Sequence, residues 1–251
     1  MKNEKGAITL ITLGTIIFIL VFLVSSFVII SNKLQAQIAI KKEMKNIYER
    51  EVKDVDQIYD AYYDVKYIEY LESTGTQYID TGIIANQDTS LEIIAQTTTD
   101  ISNAEDGAGF IIYGAGTTYN SNAFECYIHS SSYEFNYDGQ YDFVATANIE
   151  EEVSIVHNKN NITLTIGSTE YSKAFEYQTF TTPYTITLFA INRGETISGK
   201  ARIYSCKIFD NGTLVRNFIP ALDNNNIPCL YDEVSQTCYY NAGTGEFQYG
   251  I

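Results

Sequence analysis

Two carboxylates facing each other across a sugar would make a glycosidase. Such a pair stands ~5–5.5 Å apart in a retaining enzyme and ~6.5–9.5 Å apart in an inverting one. On a single strand this calls for a spacing of two or four residues, because successive side chains point to opposite faces. Glu69 and Glu72 are three apart and would diverge. Glu150, Glu151 and Glu152 form a charge run that reads as solvated. Glu134 and Asp138 have the spacing, but Tyr137 and Gly139 separate Asp138 from a clean strand. Nucleophilic chemistry fares no better. His129 and His157 lie in unrelated segments, and no G-x-S-x-G elbow is present. Cys126 precedes His129 by three residues and Ser130, Ser131 and Ser132 follow, an arrangement that reads as chance. GAGFIIYGAG, residues 107–116, lacks the spacing of a phosphate-binding loop. The chain is therefore expected not to be an enzyme.

Binding chemistry has more material. Stacking on a sugar needs aromatic faces beside hydrogen-bonding amides in a shallow groove. Tyr119, Asn120, Tyr127, Tyr133 and Tyr137 are the candidate ligand-binding residues, with Tyr113, Asn122 and Asn136 beside them. The competing reading is that Tyr, present 21 times, simply fills strands. No cofactor is expected. Should the chain hold Ca²⁺, which prefers hard oxygen ligands, Asp106, Asp138 and Asp223 are the candidates, the last followed by Asn224, Asn225 and Asn226. Cys126, Cys206, Cys229 and Cys238 show no C-x-x-C pair, which argues against zinc. They allow two disulfides in three connectivities, or four buried thiols.

Charge divides the chain. Residues 1–50 hold seven Lys/Arg against three Asp/Glu, and residues 67–251 hold seven against 23. The acidic part should repel nucleic acid, whose phosphates need clustered Lys and Arg.

Those candidates must be positioned by strands. From Tyr67 onward apolar residues recur at period two in about a dozen short runs. Ile162, Leu164 and Ile166 share one face, as do Tyr184, Ile186 and Leu188. Tyr204, Cys206 and Ile208 share another, opposite Ile203 and Phe209. Asp210-Asn211-Gly212-Thr213 and His157-Asn158-Lys159-Asn160-Asn161 read as hairpin connections. Many short antiparallel strands without helices mean a sandwich or barrel, and about 185 residues suit a two-sheet jelly roll.

Ahead of the strands, residues 7–30 carry no charge. As a helix these 24 positions rise ~36 Å, enough to cross a hydrocarbon core of ~30 Å. The run is longer than a signal-peptide core and ends in Ser31-Asn32-Lys33 without a small-residue cleavage site, so a retained single span is expected. Lys33, Lys41, Lys42 and Lys45 outnumber Lys2 and Lys5, which by count alone would put the C-terminal side inside. The acidic, Tyr-rich remainder reads as exported, and the expectation adopted is a cytoplasmic N-terminus with an extracellular C-terminal domain. Residues 31–66 should continue as a helical stalk. Tyr48, Val52, Val55, Tyr59 and Tyr62 make a narrow stripe that could lie on the chain's own head or on neighbouring helices.

Two resemblances sharpen this. Lys5-Gly6-Ala7-Ile8-Thr9-Leu10-Ile11 before the apolar run resembles the N-terminus of type IV pilins and pseudopilins. That family is cut after the Gly, which here implies processing between Gly6 and Ala7 and pilin-like subunits as partners. The family's Glu at the fifth mature position is Ile11 here, which weakens the filament implication more than the anchor. YIEYLESTGTQYIDTGI (67–83) and RIYSCKIFDNGTLVRNFIPALDNNNIPCLYDEVSQTCYYNAGTGEFQYG (202–250) resemble the two ends of concanavalin A-like (laminin G-like) domains of bacterial and phage surface proteins. The E-x-D-x-E strand of the glucanases in that group is missing. Asp80-Thr81-Gly82 and Asn241 to Gly245 are expected to join neighbouring termini of the domain.

The combined expectation is mainly β: a two-sheet antiparallel jelly-roll sandwich of concanavalin A-like type over residues 67–251, preceded by one long N-terminal helix. That helix comprises the tail and span (1–30) and the stalk (31–66). The function expected is a membrane-anchored, surface-displayed binding or adhesion protein with a glycan or surface partner, perched on a minor pilin-like anchor. A purely structural pseudopilin and a glycoside hydrolase are the alternatives.

Overall fold

The computed structural model describes Lys42, residues 65–98 and residues 110–251. The processing site Gly6 and Ala7, the span 7–30, most of the stalk and Asp106 lie outside the described residues. Among the described residues, no helix is long and apolar enough to cross a membrane.

The chain separates into two compact units, Met1–Tyr62 and Tyr63–Ile251. The first described strand of the second unit opens at Val65. Its described part holds nineteen strands: β1 (Val65–Tyr67), β2 (Tyr70–Thr74), β3 (Ile79–Asn86), β4 (Thr89–Thr97), β5 (Ile111–Ala115), β6 (Phe124–His129) and β7 (Ser132–Tyr137), then β8 (Gln140–Thr146), β9 (Glu152–Asn158), β10 (Asn161–Ile166), β11 (Thr169–Ala174), β12 (Thr181–Leu188), β13 (Ala190–Asn192) and β14 (Thr196–Ser198), and finally β15 (Lys200–Asp210), β16 (Thr213–Asp223), β17 (Pro228–Asp232), β18 (Thr237–Tyr239) and β19 (Gln248–Gly250). They form two sheets in a jelly-roll-like sandwich, with nearly every pairing antiparallel. The larger runs β11-β10-β9-β4-β15-β16-β17-β18, with β2 and β19 beside β15 and β1 on β16. The smaller runs β14-β13-β5-β6-β7-β8, with β12 bridging β5 and β3.

Alternation builds the core. Leu91, Ile93 and Ala95 of β4 turn inward, and so do Val153, Ile155 and His157 of β9 and Ile162 and Leu164 of β10. From the smaller sheet come Phe124, Cys126 and Ile128 of β6 with Tyr133, Phe135 and Tyr137 of β7. Each Val, Leu, Ile or Phe among them stabilises the fold by about 1.5–3 kcal/mol on leaving water.

Two face assignments change. In β15 the ladder to β4 slips between Ile203 and Ser205, so the buried phase passes from Ala201 and Ile203 to Cys206 and Ile208. Ile203 is therefore inside, on the same side as Cys206, and Tyr204 is the residue lifted out by the bulge. In β12 the register slips twice against β3, and Tyr184 is exposed while Ile186 and Leu188 are buried. The hairpin at Asn211-Gly212 stands as expected: both residues have positive φ, 47° and 78°, and Asp210 pairs with Thr213. In the other hairpin the turn is only Lys159-Asn160, because Asn158 pairs with Asn161 and His157 belongs to the strand. The ends of the unit meet: β19 pairs with β2, and Ala242 and Thr244 donate to the carbonyls of Tyr78 and Thr76. A Cβ on Gly243 would stand 2.1 Å from the Thr76 oxygen, so this approach requires glycine. Asp80-Thr81-Gly82 lies elsewhere, within β3, where Thr81 donates to the Ile186 carbonyl.

Candidate functional site

The residues that alternate with the core on β6 and β7 define the site. Facing away from the sandwich are Glu125, Tyr127 and His129 on β6, with Glu134 and Asn136 on β7. An outward strand face is normally solvated, yet Glu125, Glu134 and Asn136 are fully buried. The cause is the β5–β6 connection, which folds back over them. Asn136 Nδ2 donates to the Tyr119 carbonyl at 2.7 Å, and the Asn122 amide donates to Asp138 Oδ1 at 2.8 Å. Gly139, at φ 82°, lets the Asn120 backbone come so close that a Cβ would stand 2.1 Å from its carbonyl oxygen. Beneath this strap Ile111, Tyr127 and Ile191 pack as a small apolar cluster with Tyr119 against it.

Two carboxylates are held in this layer in different ways. Glu125 meets Arg193, which reaches over from the end of β13. Arg193 Nε donates to Oε1 at 2.9 Å and Nη2 to Oε2 at 2.6 Å, a two-point fork. Burial pushes the Glu125 carboxyl above its usual range, and Arg193 pulls it back only in part. Burial also acts to lower Arg193, but the hydrogen bonds and charge of Glu125 overcome this and raise it. Glu134 accepts from both phenols, Tyr119 at 2.6 Å and Tyr127, through Oε1. Its Oε2 lies 3.2 Å from His129 Nδ1. Burial, then the bond to Glu134, push both phenols far above the ordinary tyrosine value.

At the rim the network meets exposed rings. Tyr141 and Phe143 of β8 are 49% and 47% exposed, and they pair with Asn136 and Glu134 respectively. The Tyr141 ring lies 4.3 Å from Tyr119, and Phe143 lies 5.7 Å from His129. The arrangement offers a bare aromatic strip beside fixed polar groups. It can stack the C–H face of a ring and hydrogen-bond its hydroxyls.

The sequence-predicted residues divide by strand phase. Tyr119, Asn120 and Tyr127 come together here: Tyr119 is half-buried, Asn120 exposed and Tyr127 buried. Tyr133 and Tyr137 do not join them. Both are fully buried on the opposite face, where Tyr137 packs edge-on to Phe180, so neither presents a ring to a ligand. Tyr113 is likewise inside, bonded to His157. Sequence reasoning missed Tyr141, Phe143, Glu125 and Arg193. The E-x-Y-x-H alternation of β6 and the Y-x-F alternation of β8 were the available signals.

The described calcium candidates are otherwise engaged. Asp138 Oδ1 holds the strap. Asp223 Oδ1 accepts from the amides of Asn225 and Ile227 at 2.8 Å each, and Oδ2 accepts from Tyr240 at 3.0 Å. The Ile227 amide is the main cause holding the Asp223 carboxyl below its usual range. No group of three or more metal-ligating side chains occurs among the described residues. Asp223 and Tyr240 also line a cleft of about 750 Å³ with Ile227, Glu246 and Phe247, but there the carboxylate is turned into its own loop.

No protein-family model matches the chain, and no curated protein matches it in sequence. Solved structures give loose likenesses. Mouse laminin α1 chain domains LG4-5 share 11% identity at a TM-score of 0.37, over 60% of this chain and 43% of that one. The enzymatically active domain of bacteriophage CBA120 tailspike protein 2 shares 11% at 0.33, over 56% of this chain and 24% of that one. The chain thus spans less than half the length of either.

Proposed function

We propose that the chain is a membrane-anchored, surface-displayed binding protein. Its β head, of the concanavalin A-like kind that residues 67–83 and 202–250 resemble, takes a glycan on the outer face of the smaller sheet. One observation carries this reading: Tyr141 and Phe143 stand exposed next to a hydrogen-bonded layer of the buried Glu134 and Tyr127 and the half-buried Tyr119. Two large rings left side by side on a solvent face add little to folding unless something covers them. The reading is of a binder and not a hydrolase. Glu125 and Glu134 share a face, but Arg193 occupies the first and two phenols the second, which supports positioning over proton transfer.

The test is a glycan array probed with the full chain in detergent. A hit is expected, and the bound glycan should be recovered uncut. Tyr141→Ala and Phe143→Ala should each weaken binding about 10–100-fold, the effect of removing a hot-spot aromatic. Their melting temperatures should stay near that of the parent, since both rings are half exposed. Absence of any hit would remove the sugar reading, and glycan cleavage would restore the hydrolase.

The anchor belongs to the same proposal: a single pass over residues 7–30, with the N-terminus in the cytoplasm and the head outside. The motif at Gly6 and Ala7 supports a minor pilin-like subunit. Sequencing the mature protein from cells should read Ala7 first. An intact Met1 would leave a static anchor, and a cut N-terminus on a head that binds nothing would favour the purely structural pseudopilin.

A further inference from the structure

We propose that Cys229 and Cys238 are a redox pair that closes to a disulfide, stapling β17 to β18. Their sulfurs lie 2.9 Å apart. A disulfide needs about 2.05 Å, so the sulfurs must approach by only about 0.9 Å. The ladder explains the proximity. Tyr231 pairs with Cys238, which places Cys229 diagonally across from it on the same face of adjacent strands. Both pack with Val65, Ala221 and Tyr231 in a cluster separate from the main core.

The pair is asymmetric in a way that suits exchange. Cys229 is fully buried, and Cys238 is partly open to solvent. Cys229 donates its S–H to Cys238 Sγ. That bond, helped by Tyr240, holds the Cys238 thiol below its ordinary value and raises Cys229 far above its own. Cys238 is thus the sulfur that reacts first. The oxidant is a small-molecule or protein disulfide. Cys238 thiolate attacks one of its sulfurs, forming a mixed disulfide and releasing one thiol. Cys229 then loses its proton and attacks Cys238 Sγ, releasing the second thiol. Two protons and two electrons leave the pair, and the oxidant becomes two thiols. Cys126 and Cys206 take no part, being fully buried in the main core with thiols that burial pushes up.

The staple closes a short hairpin loop and so acts on the unfolded chain. Oxidation should raise the melting temperature of the second unit by roughly 5–10 °C. The sequence makes the chemistry readable. No Lys or Arg follows Arg216, so trypsin leaves residues 217–251, with both cysteines, as one peptide.

The full chain in detergent is treated with oxidised glutathione or with a reductant, then unfolded in alkylating agent and digested. After oxidation, the 217–251 peptide should carry no alkyl group and be lighter by two hydrogens than its reduced form, while the Cys126 and Cys206 peptides are alkylated. The oxidised protein should melt higher, and Cys238→Ser should abolish the difference. Two alkyl groups on 217–251 after oxidation, a link from Cys229 to Cys126 or Cys206, or equal melting temperatures would each overturn the proposal.

Discussion

Arg193→Met is expected to destabilise the β unit by about 3–5 kcal/mol, the cost of leaving a buried charge without its partner. Glu125 is fully buried, and Arg193 makes two hydrogen bonds to it. Methionine keeps much of the arginine stem and its packing, so the loss reads the charge. The carboxylate left behind would have to take up a proton or water under the strap. Glu125→Gln should cost less, because the amide needs no counter-ion. The double variant Arg193→Met with Glu125→Leu should recover most of the loss, since an apolar pair can replace a buried ion pair at little cost. Chemical denaturation of the four proteins gives the coupling directly. A loss below about 1 kcal/mol for Arg193→Met, the size of an exposed surface pair, would mean that the fork is solvated and that the strap does not seal the site.

The same pair shows what a sequence can and cannot disclose. Strand alternation and the Asn211-Gly212 turn depend on neighbours in the chain, and they were legible. The faces of β15 were not, because a single extra residue at Tyr204 inverts the phase and leaves no compositional mark. The site was half legible for the same reason. Tyr127 lies on the outward face of β6, but Tyr133 and Tyr137 lie on the core face of β7. The turn between β6 and β7 sets which parity of one strand meets which of the next: Tyr127 pairs with Glu134, and Cys126 with Phe135. Glu134 has a same-strand partner by spacing only in Asp138, whereas its true companion Glu125 sits on the neighbouring strand. Arg193, 68 positions from Glu125, arrives by topology alone.

Acidification is the second large effect, and His157 is its source. The imidazole is fully buried, stacked 4.0 Å from the Phe124 ring, edge-on to Phe135 and bonded to the Tyr113 hydroxyl at 2.7 Å. Burial lowers its pKa from 6.5 to about 3, against a smaller upward pull from the Lys159 backbone. In the unfolded chain the ring takes a proton near pH 6.5, and in the fold it does not until about pH 3. Between those values the unfolded state binds more protons, so its contribution to stability is present above pH 6.5 and is lost as pH falls. Going from pH 7 to pH 4 should remove about 3 kcal/mol through this group. The half-buried carboxyls of Asp88, Asp142 and Asp223, held below 3.8 by their partners, push the same way, mainly as pH falls toward and below that value. Glu125, held high by burial, pushes against them. The variant separates these contributions. His157→Phe keeps a ring against Phe124 and Phe135 but cannot titrate. It should begin less stable at pH 7, because Tyr113 loses its partner, and should show a flatter fall between pH 6.5 and pH 4. Equal slopes for variant and parent would mean that the core admits a protonated ring, and the acid sensitivity would then belong to the carboxyls.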